Sequence, residues 1–129
     1  MTLDKSIDEE RIGRAILAAA MRVHSALGPG LLEGVYEACL AHELALAGFE
    51  IQKQVPVPIA YGDVALEVGV RLDLLVGRKV IVEVKSVEKL LPVHLAQAMT
   101  YLKVSGHALG YLLNFNVVHM KDGIKRVVV

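Results

Sequence analysis

The sequence predicts a single α/β domain, in which helices pack against a mixed β-sheet in the element order α-α-β-β-β-α-β-β. Apolar residues recur every three or four positions up to about residue 47, as in amphipathic helices, and alternate from Gln52 onward, as in strands. A chain of 129 residues, 54% of them hydrophobic, can form one packed domain spanning 1–129. Such a composition also excludes a disordered chain.

Two helices are expected before the sheet begins. Ser6, followed three residues later by Glu9, forms a capping-box pattern that begins the first helix, and Gly28-Pro29-Gly30 ends it. The apolar stripe of this helix consists of Ile12, Ile16, Ala19, Val23 and Leu27. The second helix runs from about Leu32 to Ala47, and it is apolar over so much of its circumference that we expect neighbours on more than one side.

Strands and a third helix follow. The segment Gln52–Ile59 contains two prolines, which is typical of an edge strand. Strands at Leu66–Val76 and Lys79–Val84 are joined by Gly77-Arg78, a two-residue hairpin turn. The remaining elements are a helix over 93–104 that Pro92 opens, a strand over 108–115 buried on both faces, and a tail, 117–129, in which a turn at 121–123 separates two short strands.

Charge and cysteine content narrow the function classes. Residues 1–50 carry four basic and eight acidic side chains, a net −4, and residues 51–129 carry ten and six, a net +4. This balance allows a nucleic-acid partner without indicating one. The longest uninterrupted apolar run, Ala15–Met21, is too short to span a membrane, and no export signal precedes it. With a single cysteine, Cys39, we expect a reducing, cytoplasmic setting.

Charged residues interrupt two otherwise apolar strands. Glu83 and Lys85 are two positions apart and therefore share a face of their strand. If Gly77-Arg78 is the turn, Asp73 on the preceding strand lies opposite Val82, one step from Glu83. A bulge or a register slip would bring Asp73 and Glu83 side by side. Two buried carboxylates and an ammonium group are costly unless they are paired or bind a cation. The alternative is a solvated edge where Lys85 neutralises Glu83.

The spacing of these residues resembles a known signature. Asp73 followed by Glu83-Val84-Lys85 resembles the D…ExK motif of the PD-(D/E)XK nuclease superfamily, and the segment 30–36 reads G-x-x-E-x-x-Y, like the GxxExxY protein family. Further matches, which include Gln54-Val55-Pro56, extend the resemblance over about residues 12–126. The resemblance implies a restriction-endonuclease-like fold with a central mixed sheet.

The resemblance also implies a metal site. Asp73, Glu83, the Val84 backbone carbonyl and Glu33 would hold Mg²⁺ or Mn²⁺, because hard cations prefer oxygen ligands. Lys85 would orient the attacking water and stabilise charge on the phosphate. Glu33 would supply an acidic side chain from the second helix, although its alternative is a simple interaction with the helix dipole.

Four further residues are candidates for substrate binding. Gln97 and Tyr101 lie four positions apart on one helical face and resemble a Q-x-x-x-Y element, which implies hydrogen bonds to substrate phosphate or to the region of Lys85. The alternative is a buried tyrosine beside an amide. Arg71 meets a phosphate or pairs with Glu33. Tyr36 is either a core aromatic or a hydrogen-bond donor to the site.

The function that the resemblance implies is Mg²⁺-dependent hydrolysis of phosphodiester bonds in nucleic acid, with DNA favoured over RNA. Two alternatives stay open: a catalytically weak or inactive metal-binding scaffold with the same fold, and an enzyme acting on a small phosphorylated molecule. The high apolar fraction predicts exposed patches and hence a homo-oligomer, and the segment 127–129 is one candidate edge for pairing.

Overall fold

A computed structural model describes the backbone of residues 5–129 and the side chains from Asp8 onward, so the cap predicted at Ser6 lies outside the described side chains. Within residues 5–129, three helices and five strands follow the predicted order. The helices are α1 (Lys5–Leu27), α2 (Glu33–Leu46) and α3 (Pro92–Ser105). The strands are β1 (Ile51–Tyr61), β2 (Val64–Val76), β3 (Val80–Lys85), β4 (Leu109–Asn114) and β5 (Ile124–Val128).

The five strands form one mixed sheet in the order β1-β2-β3-β4-β5. Neighbouring strands are antiparallel except β3 and β4, which are parallel because α3 carries the chain back between them. The α/β class, with helices flanking a mixed sheet, is therefore confirmed, and it is consistent with a restriction-endonuclease-like fold.

Helices cover both faces of the sheet. On one face α1 and α2 pack onto a core that includes Val80, Val82 and Leu113, and on the other α3 packs onto a smaller core that includes Leu72 and Ile81. Every residue of β4 is buried, as the apolar run predicts for a central strand. No helix within the described part of the chain is both long and apolar enough to cross a bilayer.

The tail differs from the prediction. It contains one strand, β5, and the expected turn at 121–123 belongs to a short 3₁₀ helix, Met120–Gly123. A first short strand does not form here because the backbone of this segment bonds elsewhere: the carbonyl of Val117 lies 2.7 Å from Nε2 of the buried His24. His24 therefore packs α1 against the tail, which is the helix-packing role expected of a buried histidine.

The hairpin formed by β1 and β2 extends beyond the rest of the sheet. β2 pairs with β3 only at Leu74–Val76, whereas its pairing with β1 continues to Val64. We call residues 58–70 the hairpin arm. Its exposed apolar side chains are Tyr61, Val64, Leu66 and Val68. β1 is the edge strand that its prolines predict, and its outer edge is blunted by Pro56 and Pro58.

Candidate active site

The turn between β2 and β3 sets the position of the first two acidic residues. Val76 pairs with Val80 rather than with Lys79, so the turn has three residues, and Gly77 and Arg78 both have positive φ, 59° and 62°. The predicted two-residue turn is therefore wrong. In the observed register Leu74 pairs with Val82, which places Asp73 opposite Glu83 without the slip that the shorter turn requires.

The carboxylates of Asp73 and Glu83 each accept a backbone N–H of the opposite strand. The N–H of Asp73 donates to Oε2 of Glu83 at 2.9 Å, and the N–H of Val84 donates to Oδ2 of Asp73 at 2.8 Å. The described backbone pairing of the two strands ends at Leu74, so the carboxylates replace the next bonds of the ladder. One oxygen of each carboxylate is used in this way, and the other is the atom with which each side chain can meet a ligand.

The surroundings of Asp73 and Glu83 disfavour the state in which both carboxyl groups are ionised. Glu83 is only 5% exposed, and burial together with the charge of Asp73 raises its pKa to about 8. Burial also raises the pKa of Asp73, against the lowering effects of the Val84 N–H and of the Lys85 ammonium. Lys85 lowers the pKa of Glu83 as well. At neutral pH the pair therefore holds a proton or needs a cation.

This raised pKa makes a prediction for the metal-free protein. Folded Glu83 keeps a proton that the unfolded chain releases near its ordinary pKa of 4.5, so its stabilising contribution is complete below pH 4.5 and is lost as pH rises through about 8. Urea unfolding in EDTA should give a free energy of unfolding that falls by on the order of a few kcal/mol between these values. In Glu83→Gln the free energy of unfolding should depend less steeply on pH than in the wild type. An equally steep dependence in this variant would contradict the raised pKa of Glu83.

α2 brings two more carboxylates near the pair. Glu33 is the first residue of α2, is exposed, and raises the pKa of Asp73 by its charge. Glu37 follows one turn later, is half-buried, and raises the pKa of Glu83 by its charge. Burial, together with the charge of Asp73, raises the pKa of Glu37 itself. Both α2 carboxylates therefore lie within electrostatic reach of the Asp73–Glu83 pair.

Tyr36 fixes the start of α2. Its hydroxyl donates to the Gly28 carbonyl at 2.5 Å and accepts the N–H of Leu31 at 3.1 Å. Its ring is fully buried and stacks on Phe115 with the ring centroids 4.6 Å apart. These contacts place Tyr36 in the core, beneath the loop that leads to Glu33, and not on a surface where substrate could reach the ring.

Asn114 fixes the end of β3. Its side chain accepts the N–H of Val87 at 3.1 Å and donates to the carbonyl of Val87 at 3.0 Å. The N–H of Phe115 donates to the carbonyl of Lys85 at 3.0 Å. The hydroxyl of Ser86 donates to the carbonyl of Leu31, 2.6 Å away, which joins this segment to the loop before α2. Lys85 therefore stands on a strand end that is anchored from two directions.

The remaining predicted residues lie on α3 and β2. Tyr101 is half-buried, and burial and the charges of Glu83 and Asp73 raise its pKa, so its hydroxyl is close to the pair. Gln97 lies one turn nearer the start of α3 and is exposed. Arg71 is exposed on β2 opposite Pro56. The ion pairs of the described residues do not include one between Arg71 and Glu33.

The carboxylates do not form a ready-made cage. Within the described part of the chain, no three His, Cys, Asp or Glu side chains are gathered closely enough to hold a metal ion. Asp73 and Glu83 nevertheless suit a hard divalent cation, because Mg²⁺ commonly takes one or two carboxylates and keeps several waters. Two carboxylates whose pKa values are raised by burial are also a donor set that a cation would stabilise.

Two further residues of this site, Glu37 and Gln54, are not among those predicted from the sequence. Glu37 lies four positions after Glu33 and shares its helical face, so helical periodicity could have found it. Gln54 lies in the matched Gln-Val-Pro segment, but its role depends on a backbone conformation that spacing does not reveal. Its side-chain amide donates to both carboxylate oxygens of Glu37, each at 3.1 Å.

Comparison with known proteins identifies a family for the chain. The family profile described as the PD-(D/E)XK nuclease superfamily matches residues 10–127, a range that contains every residue of the site described above. No curated protein and no solved structure matches the chain significantly.

Proposed function

The chain belongs to the PD-(D/E)XK nuclease superfamily, and from this membership we propose that it is a divalent-metal-dependent nuclease with its site at Asp73, Glu83 and Lys85. We also propose that it belongs to the GxxExxY family within that superfamily. The observation that carries the proposal is the bonding of each carboxylate to the backbone of the opposite strand, which sets Asp73 and Glu83 side by side on neighbouring strands.

Each residue has a proposed role in phosphodiester hydrolysis. Asp73, Glu83 and the Val84 carbonyl would hold Mg²⁺ or Mn²⁺, with Glu33 contributing from α2. A bound cation would lower the pKa of a water molecule and offset negative charge on the phosphate. Lys85 would orient the attacking water and donate to the phosphate oxygens as charge develops. Tyr101, Gln97 and Arg71 bind the substrate backbone, and Tyr36 supports the loop before Glu33.

A substrate panel tests this proposal. Purified protein is incubated with linear single-stranded and double-stranded DNA, with RNA and with bis(p-nitrophenyl) phosphate, in Mg²⁺, in Mn²⁺ and in EDTA. We expect cleavage of DNA in excess over RNA, and no cleavage in EDTA. Hydrolysis of the small phosphodiester alone would favour an enzyme of small phosphorylated molecules and would overturn the nuclease proposal.

The alternative function is a metal-binding interaction protein that keeps the fold and cleaves weakly or not at all. Two observations favour it: the described carboxylates form no three-residue cluster, and the chain carries no net charge to attract nucleic acid. Metal binding without cleavage of any member of the substrate panel would select this alternative.

We also propose that two copies associate through the hairpin arm. Along 64–70 the inner edge of β2 has no partner strand among the described residues, and the segment exposes the apolar side chains of Val64, Leu66 and Val68. Light scattering should report a dimer for the wild type and a monomer for Leu66→Lys. Val128→Lys, on the exposed edge strand β5, serves as the matched control and should stay dimeric. A monomeric wild type would contradict the proposal.

A further inference from the structure

The backbone of Gln54 has an unusual conformation. Its φ is 50°, in the left-handed region, although it lies inside β1 and is not glycine. Side chains other than Gly, Asn and Asp rarely adopt this region, because Cβ crowds the carbonyl oxygen. Residues held there are concentrated at functional sites, where the surrounding structure keeps them in place.

The hairpin changes face at the same point. Residues two apart on a strand ordinarily share a face, yet Leu74 packs in the core under α1 and α2 while Leu72 packs in the core under α3. On β1, Lys53 pairs with Leu74 and Val55 pairs with Leu72, so Gln54 lies across from Asp73. The left-handed residue is therefore where the ribbon turns over, directly beside a proposed metal ligand.

The side chain of Gln54 connects two elements of the site. Its amide donates to Oε1 and Oε2 of Glu37 on α2. Gln54 also lies across from Asp73 on the neighbouring strand, and it lowers the pKa of that carboxyl group. Gln54 is exposed, so an ordinary glutamine here could bond to water without any unfavourable backbone conformation. The conformation instead points its amide toward a carboxylate on a different element, beside Asp73.

We propose that Gln54 is a positioning residue, whose left-handed backbone aims its amide at Glu37 and so holds this α2 carboxylate beside the Asp73–Glu83 pair. The inference rests on the proposed function, because it assigns Gln54 to the same metal site. An amide suits this position, since it donates hydrogen bonds to a carboxylate without adding a positive charge that would compete with a cation.

A pair of glycine variants tests the inference. Gln54→Gly removes the amide and suits the left-handed backbone, so its unfolding midpoint should equal or exceed that of the wild type. Its affinity for Mn²⁺, measured by calorimetry, should nevertheless fall by about tenfold, which is typical when a side chain supporting metal ligands is lost. Excess Mn²⁺ should restore its cleavage rate. Gln54→Asn keeps an amide and tolerates positive φ, so its Mn²⁺ affinity should lie between those of the wild type and Gln54→Gly.

Gln52→Gly is the matched control, because Gln52 is exposed on the same strand and pairs with Leu75 away from the site. It should lower the unfolding midpoint and leave Mn²⁺ affinity unchanged. Unchanged Mn²⁺ affinity in Gln54→Gly would overturn the inference, as would a loss of stability equal to that of Gln52→Gly. A wild type that binds Mn²⁺ but cleaves nothing would overturn the proposed nuclease function alone, since the role of Gln54 is measured by binding.

Discussion

Lys85→Met should reduce the rate of nucleic-acid cleavage by about 10²–10³-fold while leaving the affinities for Mn²⁺ and for DNA largely unchanged. Lys85 shares a face of β3 with Glu83 and lowers the pKa values of both Asp73 and Glu83 by its charge, so its ammonium lies near the place where a phosphate would meet the pair. A positive charge that acts mainly on the negative charge developing on the phosphate in the transition state affects turnover more than substrate binding.

The measurement is single-turnover cleavage of end-labelled DNA, beside filter binding in Ca²⁺ to report affinity without cleavage. Lys89→Met is the matched control, because Lys89 is an exposed lysine in the segment after β3. It should cleave like the wild type. A loss of DNA affinity in Lys85→Met as large as the loss of rate would show that the lysine binds substrate and has no special role in the reaction.

Asp73→Asn should have opposite effects on stability and on metal binding. Asparagine keeps the shape of the side chain and an oxygen that can accept the Val84 N–H, but it removes the charge that raises the pKa of Glu83. The metal-free variant should therefore be more stable than the wild type at pH 8. Its Mn²⁺ affinity and cleavage rate should fall by more than about a hundredfold, because a direct ligand is lost.

Thermal unfolding in EDTA and calorimetric titration with Mn²⁺ measure the two effects on the same samples. Asp63→Asn is the control, since Asp63 is exposed at the tip of the hairpin arm and carries the same change of charge. A destabilised Asp73→Asn with wild-type Mn²⁺ affinity would mean that Asp73 only replaces a bond of the ladder.

The sequence was sufficient to predict the element order and the buried strand β4, because both depend on hydrophobic period. It predicted one turn residue too few between β2 and β3, since Gly77-Arg78 also suits the shorter turn and only packing selects the longer one. This single residue decides whether Asp73 lies opposite Val82 or opposite Glu83. The register of a hairpin depends on its turn, so pattern alone could allow the two carboxylates to meet but could not place them.

The outer part of the site depended on contacts that no spacing reveals. The hydroxyl of Tyr36 could have faced the site, but Phe115, far along the chain, stacks on its ring and the loop at Gly28 takes its hydrogen bond. In the sequence, Gln54 is indistinguishable from the other residues of an edge strand. Only its left-handed backbone conformation beside Asp73 sets it apart. Long-range packing decides both positions, and the motif residues alone did not contain that information.

The decisive measurement is cleavage of linear DNA by the wild type and by Lys85→Met, each with Mg²⁺ and with EDTA. We expect cleavage by the wild type in Mg²⁺ and none in EDTA, together with a rate at least about a hundredfold lower in Lys85→Met. Equal rates in the two proteins, or cleavage that persists in EDTA, would contradict a metal-dependent nuclease built on Asp73, Glu83 and Lys85.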